Sequence, residues 1–536
     1  MVNYVHRWLF VLPATIRTTE KPTVVSYSLY DISGQLDESA TRTDGVTGPQ
    51  TAHSSMTALA IVESRADRAS VHICDQLREL ADWEVVDDDT RPAADGGGTY
   101  YRTAGAELRS FDDFHLELEH PVEAFDCDPD VLVFASRHSG DTGPLLTGHF
   151  TGNFGPAEFG GEANAVAEAC PNALAHLLDA FDEYAPEQYD VGMECTHHGP
   201  TNVGCPSLFA ELGSGDEQWD DPNGAAAVAR AILELRAVSP HCDRLESASR
   251  SSHESRDASP CRQVVGFGGN HYAPRFTRIV RETPWAVGHI AADWALDAMG
   301  HPSSHRDVLE AAFDASHTDM AVLDGEWPVL EETLEELGVR IVSETWLREV
   351  GDRPLELVDA VESSLGAVDD GVRFGDCAAE SVAVVELPAA LLDAAEGLDP
   401  EAVRTVVEAT TVAFTTENGG IRVGSQVAVP SSNGESSNTG DTTATQTIAA
   451  ESETTARGAI IEALAGVLED KYETVTLEDD AVVAERTSFD PALAREIGVP
   501  EGPKFGALAN GDAVAVDGET ISPETVRSQQ TDRFPI

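Results

Sequence analysis

Lysine is almost absent from this chain. Three occur in 536 residues, Lys21, Lys471 and Lys504, so none lies between 22 and 470. Histidine is absent from the last 219 residues, because none of the 17 follows His317. Chemistry that needs imidazole therefore belongs to the earlier part. No run reaches the roughly 18–20 apolar residues of a membrane span. Residues 8–14 are apolar but short, and no small-residue cleavage site follows them, so neither a span nor a signal peptide is expected. None of the eight cysteines forms a CxxC pair, and they read as free thiols rather than a disulfide framework. HExxH, GxSxG and GxxxxGK are all missing. Their absence argues against helical zinc proteases, α/β-hydrolase triads and P-loops. GFGG at 266–269 follows a strand-like run but is not GxGxxG, so a dinucleotide site is not expected.

Acid is what the chain has in excess: 94 Asp and Glu against 34 Lys and Arg, a net charge of -60. The acids are spread through amphipathic segments instead of gathering in a tail. Self-repulsion at such a charge opposes a compact state in dilute buffer. At about 1 M salt the Debye length is ~3 Å and the repulsion is screened. The composition fits a cytoplasmic protein adapted to very high salt.

Residues 1–55 differ from the rest, with four bases against five acids. They are expected to be disordered or foreign to the natural product, with the domain starting at Met56. From there strands and helices alternate. Strands are expected at 58–62, 131–135, 190–193, 262–266, 320–323 and 339–342. Helices are expected at 64–80, 163–184, 224–238, 304–315 and 330–337. This alternation predicts an α/β fold, a layered α/β/α domain with a mostly parallel sheet, over 56–375. Residues 242–260 read as a polar insertion. Residues 376–536 read as a smaller α/β extension containing a flexible Ser/Thr-rich tract at 431–455 and a helix at 456–470.

Three polar clusters follow predicted strands. They are SRHSGD at 136–141 continuing through HFTGN at 149–153, ECTHHGPT at 194–201, and GFGGNHYAP at 266–274. Loops beyond the carboxyl ends of parallel strands are where open α/β sheets place ligands. The second cluster is the sharpest, with Glu194, His197 and His198 directly after an apolar run. Neutral imidazoles and carboxylates suit Zn²⁺, which lowers the pKa of a bound water to about 7. One of the adjacent histidines suits a ligand role while the other orients substrate. Glu194 suits a proton acceptor or a partner that holds a ligand imidazole. His72, His115, His120, His176, His301, His305 and His317 read as structural residues.

The segments SRHSGDTGPLLTGHFTGN, ECTHHGPT and GFGGNHYAPRFT resemble, in order, the signature blocks of the archaeal and plant D-aminoacyl-tRNA deacylases. TALAIVESRADRAS at 57–70 and VSETWLREVGDRPLELV at 342–358 extend the likeness to about 56–370. The resemblance implies hydrolysis of the ester joining a D-amino acid to the tRNA 3′ end, so the implied partner is D-aminoacyl-tRNA, with no DNA and no membrane. It also implies zinc and a fold like that of peptidyl-tRNA hydrolases and nucleoside phosphorylases. On that footing some of His197, His198, His149 and His271 hold the metal, and Glu194 takes or steers the water proton. Glycine-loop N–H groups, with Asn153 or Asn270, face the oxyanion. Arg137 or Arg275 meets a terminal phosphate, His138 contacts substrate, and Tyr272 or Phe267 stacks on the terminal adenine. Arg275, Arg278 and Arg281 share a face if 275–282 is helical, a candidate tRNA stripe. A monomer is expected. Residues 498–516 weakly resemble a terminal stretch of tRNA 3′-processing metallo-nucleases, whose HxHxDH motif is missing here.

Two other readings stay open. One is a different metal-dependent hydrolase, acting on peptidyl-tRNA or small esters; the other is a non-catalytic RNA-binding protein. The charge makes its own prediction. Dialysis from molar KCl into dilute buffer should abolish the folded circular-dichroism signal; a salt-independent signal would contradict the high-salt reading.

Overall fold

The computed structural model describes residues 58–241, 262–431 and 442–536. The expectations for 1–55, the start at Met56 and the 242–260 insertion fall outside these residues. Two sheets carry the amino-terminal part. The first has eight strands in the spatial order Glu84–Asp88, Gly98–Thr103, Ala106–Phe111, Leu59–Ser64, Val131–Arg137, Ser207–Gly213, Leu145–His149 and Asp190–Met193. Its centre is parallel. Leu145–His149 runs antiparallel to Ser207–Gly213 and parallel to Asp190–Met193. The second sheet is parallel throughout, in the order Trp285–Ala291, Arg262–Gly268, Met320–Asp324 and Arg340–Ile341. The α/β class with a mostly parallel sheet is therefore observed, divided between two sheets.

The central strands LAIVES, VLVFASR and SLFAELG are buried almost from end to end. Nearly continuous burial is what a parallel sheet covered on both faces demands. Helix Arg68–Leu80 turns Ile73, Cys74 and Leu77 inward, and its N-cap Asp67 accepts from Ala69 and Ser70 N–H. It packs with Pro222–Glu234, which in turn meets Pro171–Tyr184. One hydrophobic core runs from Leu59 and Val133 through these helices to Val264, Val287 and Ile290 of the second sheet.

All six expected strands form at their expected places, within a few residues at each end. Leu145–His149, Ser207–Gly213 and Trp285–Ala291 escape the sequence reading, because histidine, glutamate or glycine interrupts their apolar runs. The helix expected from 163 begins at Pro171, since Ala165–Val166 pairs instead with Gly152–Asn153. Proline suits that first helical position.

The carboxyl-terminal part holds an antiparallel sheet in the order Val372–Phe374, Ala413–Glu417, Arg422–Pro430 and Val382–Glu386. The expected boundary at 375/376 falls inside this sheet. Helix Thr442–Leu468 buries Ile460, Ile461, Leu464 and Leu468 in a separate core with Leu391, Val407 and Val427. The tract expected to be flexible over 431–455 is thus helical from Thr442 onward. No glycine or proline stands between 442 and 457. The buried part can therefore propagate the helix toward its amino end. The terminal strands Ala481–Phe489 and Arg527–Pro535 pair along nine residues each.

His289, wholly buried on Trp285–Ala291, joins the second sheet to the loop after Asp190–Met193. Its Nε2–H donates to Ala167 O (2.8 Å), and its Nδ1 accepts from Thr196 Oγ1 (3.0 Å). Burial pushes its pKa down to about 4 from 6.5. The folded state therefore refuses a proton that the unfolded chain accepts, and stability is lost as pH falls from about 6.5 toward 4. The full effect is on the order of 3 kcal/mol. A His289→Gln variant should show a flatter fall in Tm over that pH range than the parent; an unchanged slope would mean that His289 is not the group titrating.

Candidate active site

The loop 194–200 is held between the two sheets by backbone bonds on nearly every residue. Glu194 N–H donates to Gly148 O, Cys195 N–H to His271 O and Thr196 N–H to Ile290 O. His198 O accepts from Gly152 N–H, and Gly199 N–H donates to Phe159 O. Gly199 lies so close to residues 160–161 that a Cβ there would stand 2.3 Å from Gly161 N. His198 itself sits in the left-handed region at φ 49°, which is uncommon for a residue other than glycine.

This loop, with 136–139, Phe209 and Glu211 of Ser207–Gly213, and His271, lines a cavity of about 620 Å³. Arg137, His138, Glu194, His197, His198 and Glu211 all face it. His149 lies beneath, with ring centroids 4.2 Å from His197 and 4.9 Å from His198. The Nδ1 atoms of these three histidines lie against backbone carbonyls: His149 on Phe150 O (3.1 Å), His197 on Cys195 O (2.8 Å) and His198 on Gly199 O (2.7 Å). A carbonyl only accepts, so each Nδ1 carries hydrogen and each Nε2 lone pair is left for a cation. One ring nitrogen from each lies within 4.8 Å of the others. His149 Nε2 is moreover a buried atom without a hydrogen-bond partner. This donor set fits a divalent metal. Two further groupings beside it could also hold one: Cys195, His197 and His271; and His138, Glu194 and Glu211.

Two buried carboxylates organise the remaining imidazoles. Glu194 stands 2.8 Å from His271 Nε2 and 3.0 Å from His138 Nδ1. Glu211 stands 3.5 Å from His149 Nε2 and 3.7 Å from His138 Nδ1. Burial alone would raise both carboxyls, but the imidazoles win. His138 and His271 hold Glu194 well below the usual carboxylate range, and His138 and His149 lower Glu211. Burial also opposes charge on His138, yet Glu194 and Glu211 push it up to about 9. Cys195 and Glu194 overcome burial at His271 and push it up to about 10. Burial and the nearby His149 push His197 down to about 3, and burial and His197 hold His198 well below its ordinary value. Burial opposes charge on His149 too, but Glu211 raises its pKa, so His197 and His198 are the neutral imidazoles here, and a cation at His149 Nε2 would displace a proton shared with Glu211.

Several expected roles change. The Asn153 amide N–H groups donate to Gly160 O (3.0 Å) and Glu162 O (3.1 Å), so they brace a loop and are not free for an oxyanion. Asn270 caps its own turn, its Oδ1 accepting from Tyr272 N–H (2.9 Å), and does not line the cavity. Arg275 is taken up by Glu344, Asp324 and Leu323 O. Arg278 pairs with Glu344 and Arg281 with Asp182. The helix Pro274–Glu282 forms, but its arginine stripe is tied to this chain's own acids. Phe267 is fully buried and cannot stack on a base. Tyr272, over a third exposed, keeps its ring on His138 and His271. Arg137 lies over Phe114 and Trp219 at the cavity, with no carboxylate within ion-pair distance among the described residues.

Glu211 escaped the sequence reading, as did Trp294 and Phe159, exposed aromatics that line the cavity. The signal for Glu211 was present: one carboxylate inside the otherwise apolar strand SLFAELG. A charge in a strand buried on both faces must have partners.

Fold and cavity together define an α/β protein with a hydrolase-type polar centre able to take a divalent metal. A family model described as D-aminoacyl-tRNA deacylase matches residues 125–342. A D-aminoacyl-tRNA deacylase of Halorubrum lacusprofundi is 50% identical over 497 residues, covering 89% of this chain and 97% of that one. One of Natronomonas pharaonis is 49% identical over 479 residues, covering 89% and 99%. The chain belongs to the D-aminoacyl-tRNA deacylase family. Among solved structures it is similar to a conserved protein of unknown function, 26% identical with a TM-score of 0.46, covering 55% of this chain and 97% of that one.

The two-carboxylate arrangement predicts a measurable effect. Glu211→Gln should lower the His138 pKa by about one pH unit or more, read from its imidazole resonance across a pH titration. An unmoved His138 would remove Glu211 from the site's electrostatics.

Proposed function

We propose that this chain hydrolyses the ester of D-aminoacyl-tRNA, releasing the D-amino acid and free tRNA, at the cavity of His138, His149, Glu194, His197, His198, Glu211 and His271. The observation that carries the site assignment is the convergence of three Nδ1-anchored imidazoles beside two buried carboxylates. His149, His197 and His198 would hold zinc, which when bound supplies Lewis acidity and lowers the pKa of a water toward 7. Glu194 is too acidic here to be a strong proton acceptor, and it acts by holding His138 and His271 in place and charged. Those imidazolium groups replace Asn153 and Asn270 as stabilisers of negative charge on the ester carbonyl oxygen. His138, which faces the cavity, is the candidate proton donor to the leaving 3′ oxygen.

The tRNA end meets few arginines. Arg137, its guanidinium stacked on two aromatic rings and without an ion pair among the described residues, is the candidate phosphate contact. Trp294 and Phe159 offer stacking faces for the terminal base. In molar salt counterion release drives binding weakly, so stacking and hydrogen bonds suffice on an acidic surface. The relatives named above come from Halorubrum and Natronomonas, in keeping with the high-salt reading. No helix among the described residues is long and apolar enough to cross a membrane. The chain is taken to act as a cytoplasmic monomer.

The test is deacylation of matched D-Tyr-tRNA and L-Tyr-tRNA in molar KCl, after chelation and again after zinc is restored. Only the D-charged substrate should be lost, and only with zinc present. His198→Ala should reduce kcat/KM at least roughly 100-fold, because even outer partners of metal ligands are worth 10–100-fold. Survival of both substrates would sink the activity, and full activity in the chelated enzyme would sink the zinc.

A further inference from the structure

A second cavity, of about 520 Å³, opens beside the catalytic one on the same face of the first sheet. The pairing register shows how. Glu211, Thr147 and Gly192 stand opposite one another on the neighbouring strands Ser207–Gly213, Leu145–His149 and Asp190–Met193. Residues directly opposite in a sheet point to one face. Glu211 lines the catalytic cavity and Thr147 the second one. Gly192 has no side chain to cover that face, and the nearest atom a Cβ there would meet is Thr277 Oγ1, at 3.7 Å. The Tyr272 ring, which lies against His138 and His271, forms the wall on the catalytic side.

The lining carries unused hydrogen-bonding groups. Asp190–Met193 is the edge strand of its sheet. Asp190 N–H donates to Pro144 O and Glu194 N–H to Gly148 O, both toward Leu145–His149. Alternation along the strand turns the N–H and C=O of Val191 the other way, the side on which Met193 N–H finds Thr277 Oγ1 at 3.0 Å. Val191 thus offers a donor and an acceptor with no strand beyond it among the described residues. Thr147 Oγ1, on the floor, is a buried atom without a hydrogen-bond partner. The charged residues of the lining balance, Arg278 and Arg281 against Asp190 and Glu282, while Leu145 and Met193 supply apolar wall. Balanced charge, apolar wall and a peptide donor beside a peptide acceptor suit a flat neutral heterocycle better than a phosphate.

The position of the cavity relative to the chemistry tells which part of the substrate it meets. His138 Nδ1 stands against Glu194, and its Nε2 faces the Tyr272 hydroxyl at 3.5 Å. On the deacylase reading, which the assignment below rests on, that nitrogen serves the leaving 3′ oxygen. The nucleic-acid side of the ester is then the Tyr272 side, and the acyl group lies toward His149, His197 and His198. In tRNA a cytidine precedes the terminal adenosine. Cytosine presents its N4–H as a donor beside the acceptor N3, which matches the C=O and N–H of one peptide edge.

We propose that the second cavity binds the cytosine of the nucleotide preceding the terminal adenosine, held by the strand edge at Val191 in the space that Gly192 leaves open. A nucleotide common to all tRNAs, read through the backbone, lets one enzyme serve tRNAs of different sequence.

The experiment separates this subsite from the reaction. The zinc-loaded full chain in molar KCl is titrated calorimetrically with adenosine, with cytidylyl-(3′→5′)-adenosine and with uridylyl-(3′→5′)-adenosine. The D-tyrosyl esters of the first two are assayed for hydrolysis. The parent should bind the cytidine dinucleotide at least about 10-fold more tightly than adenosine, as one well-held base contributes. Uridine, which carries an acceptor in place of N4–H, should lose most of that advantage. Gly192→Val puts a side chain that suits a strand into the cavity and should abolish the ratio between dinucleotide and adenosine; circular dichroism checks its fold. Equal binding of adenosine and the cytidine dinucleotide by the parent overturns the proposal without any variant. So does a uridine dinucleotide that binds as well as the cytidine one, or a ratio that survives in folded Gly192→Val. Hydrolysis reports separately. A cytidine preference with neither ester cleaved would sink the deacylase reading and leave the subsite standing; cleavage of both esters at equal kcat/KM, with equal binding, would do the reverse.

Discussion

Two carboxylates buried among imidazoles are the constraint on which the site depends. An ionised carboxyl cannot be taken out of water unless charge and hydrogen bonds meet it inside. Glu194 and Glu211 are both almost fully buried, and the groups that meet them come from separate stretches of chain. His138 follows one strand, His149 ends another, and His271 belongs to the second sheet's loop. Placing these residues around two carboxyls fixes how the sheets approach each other. The site is therefore part of what holds the fold together, and removing either carboxylate strands buried positive charge.

The same arrangement sorts identical side chains into different states. His197 and His198 have buried rings, each anchored at Nδ1 by a carbonyl, and they remain neutral. His138 and His271 are just as histidine-like in sequence but stand against carboxylates and hold protons. Environment alone makes the difference. A chemistry that needs both neutral ligands and proton donors at one pH can be assembled from one residue type in this way.

Charge outside the site follows another rule. With acids far in excess, nearly any exposed arginine finds a carboxylate, as Arg275, Arg278 and Arg281 do on helix Pro274–Glu282. A basic stripe read from spacing alone is therefore a poor guide to nucleic-acid contact in such a chain. An arginine that stacks on rings at the cavity with no ion pair among the described residues, as Arg137 does, is the better one.

The sequence by itself determined the α/β class, the places of six strands, the three polar loops that meet at one cavity and the family to which they belong. These signals are local: apolar runs of strand length, helical spacing, and histidines packed into short motifs. Only the tertiary structure decided which side chains meet. Glu211 shows in sequence only as a lone carboxylate in an apolar run, because its partners lie tens of residues away on other strands. Asn270 and Arg275 look like site residues until the groups they bind are seen, and Asn153 lines the cavity with its amide N–H groups already engaged. The physical reason is the same each time. A donor, an acceptor or a charge acquires its role from what desolvates it and what it faces, and both are properties of the packed chain.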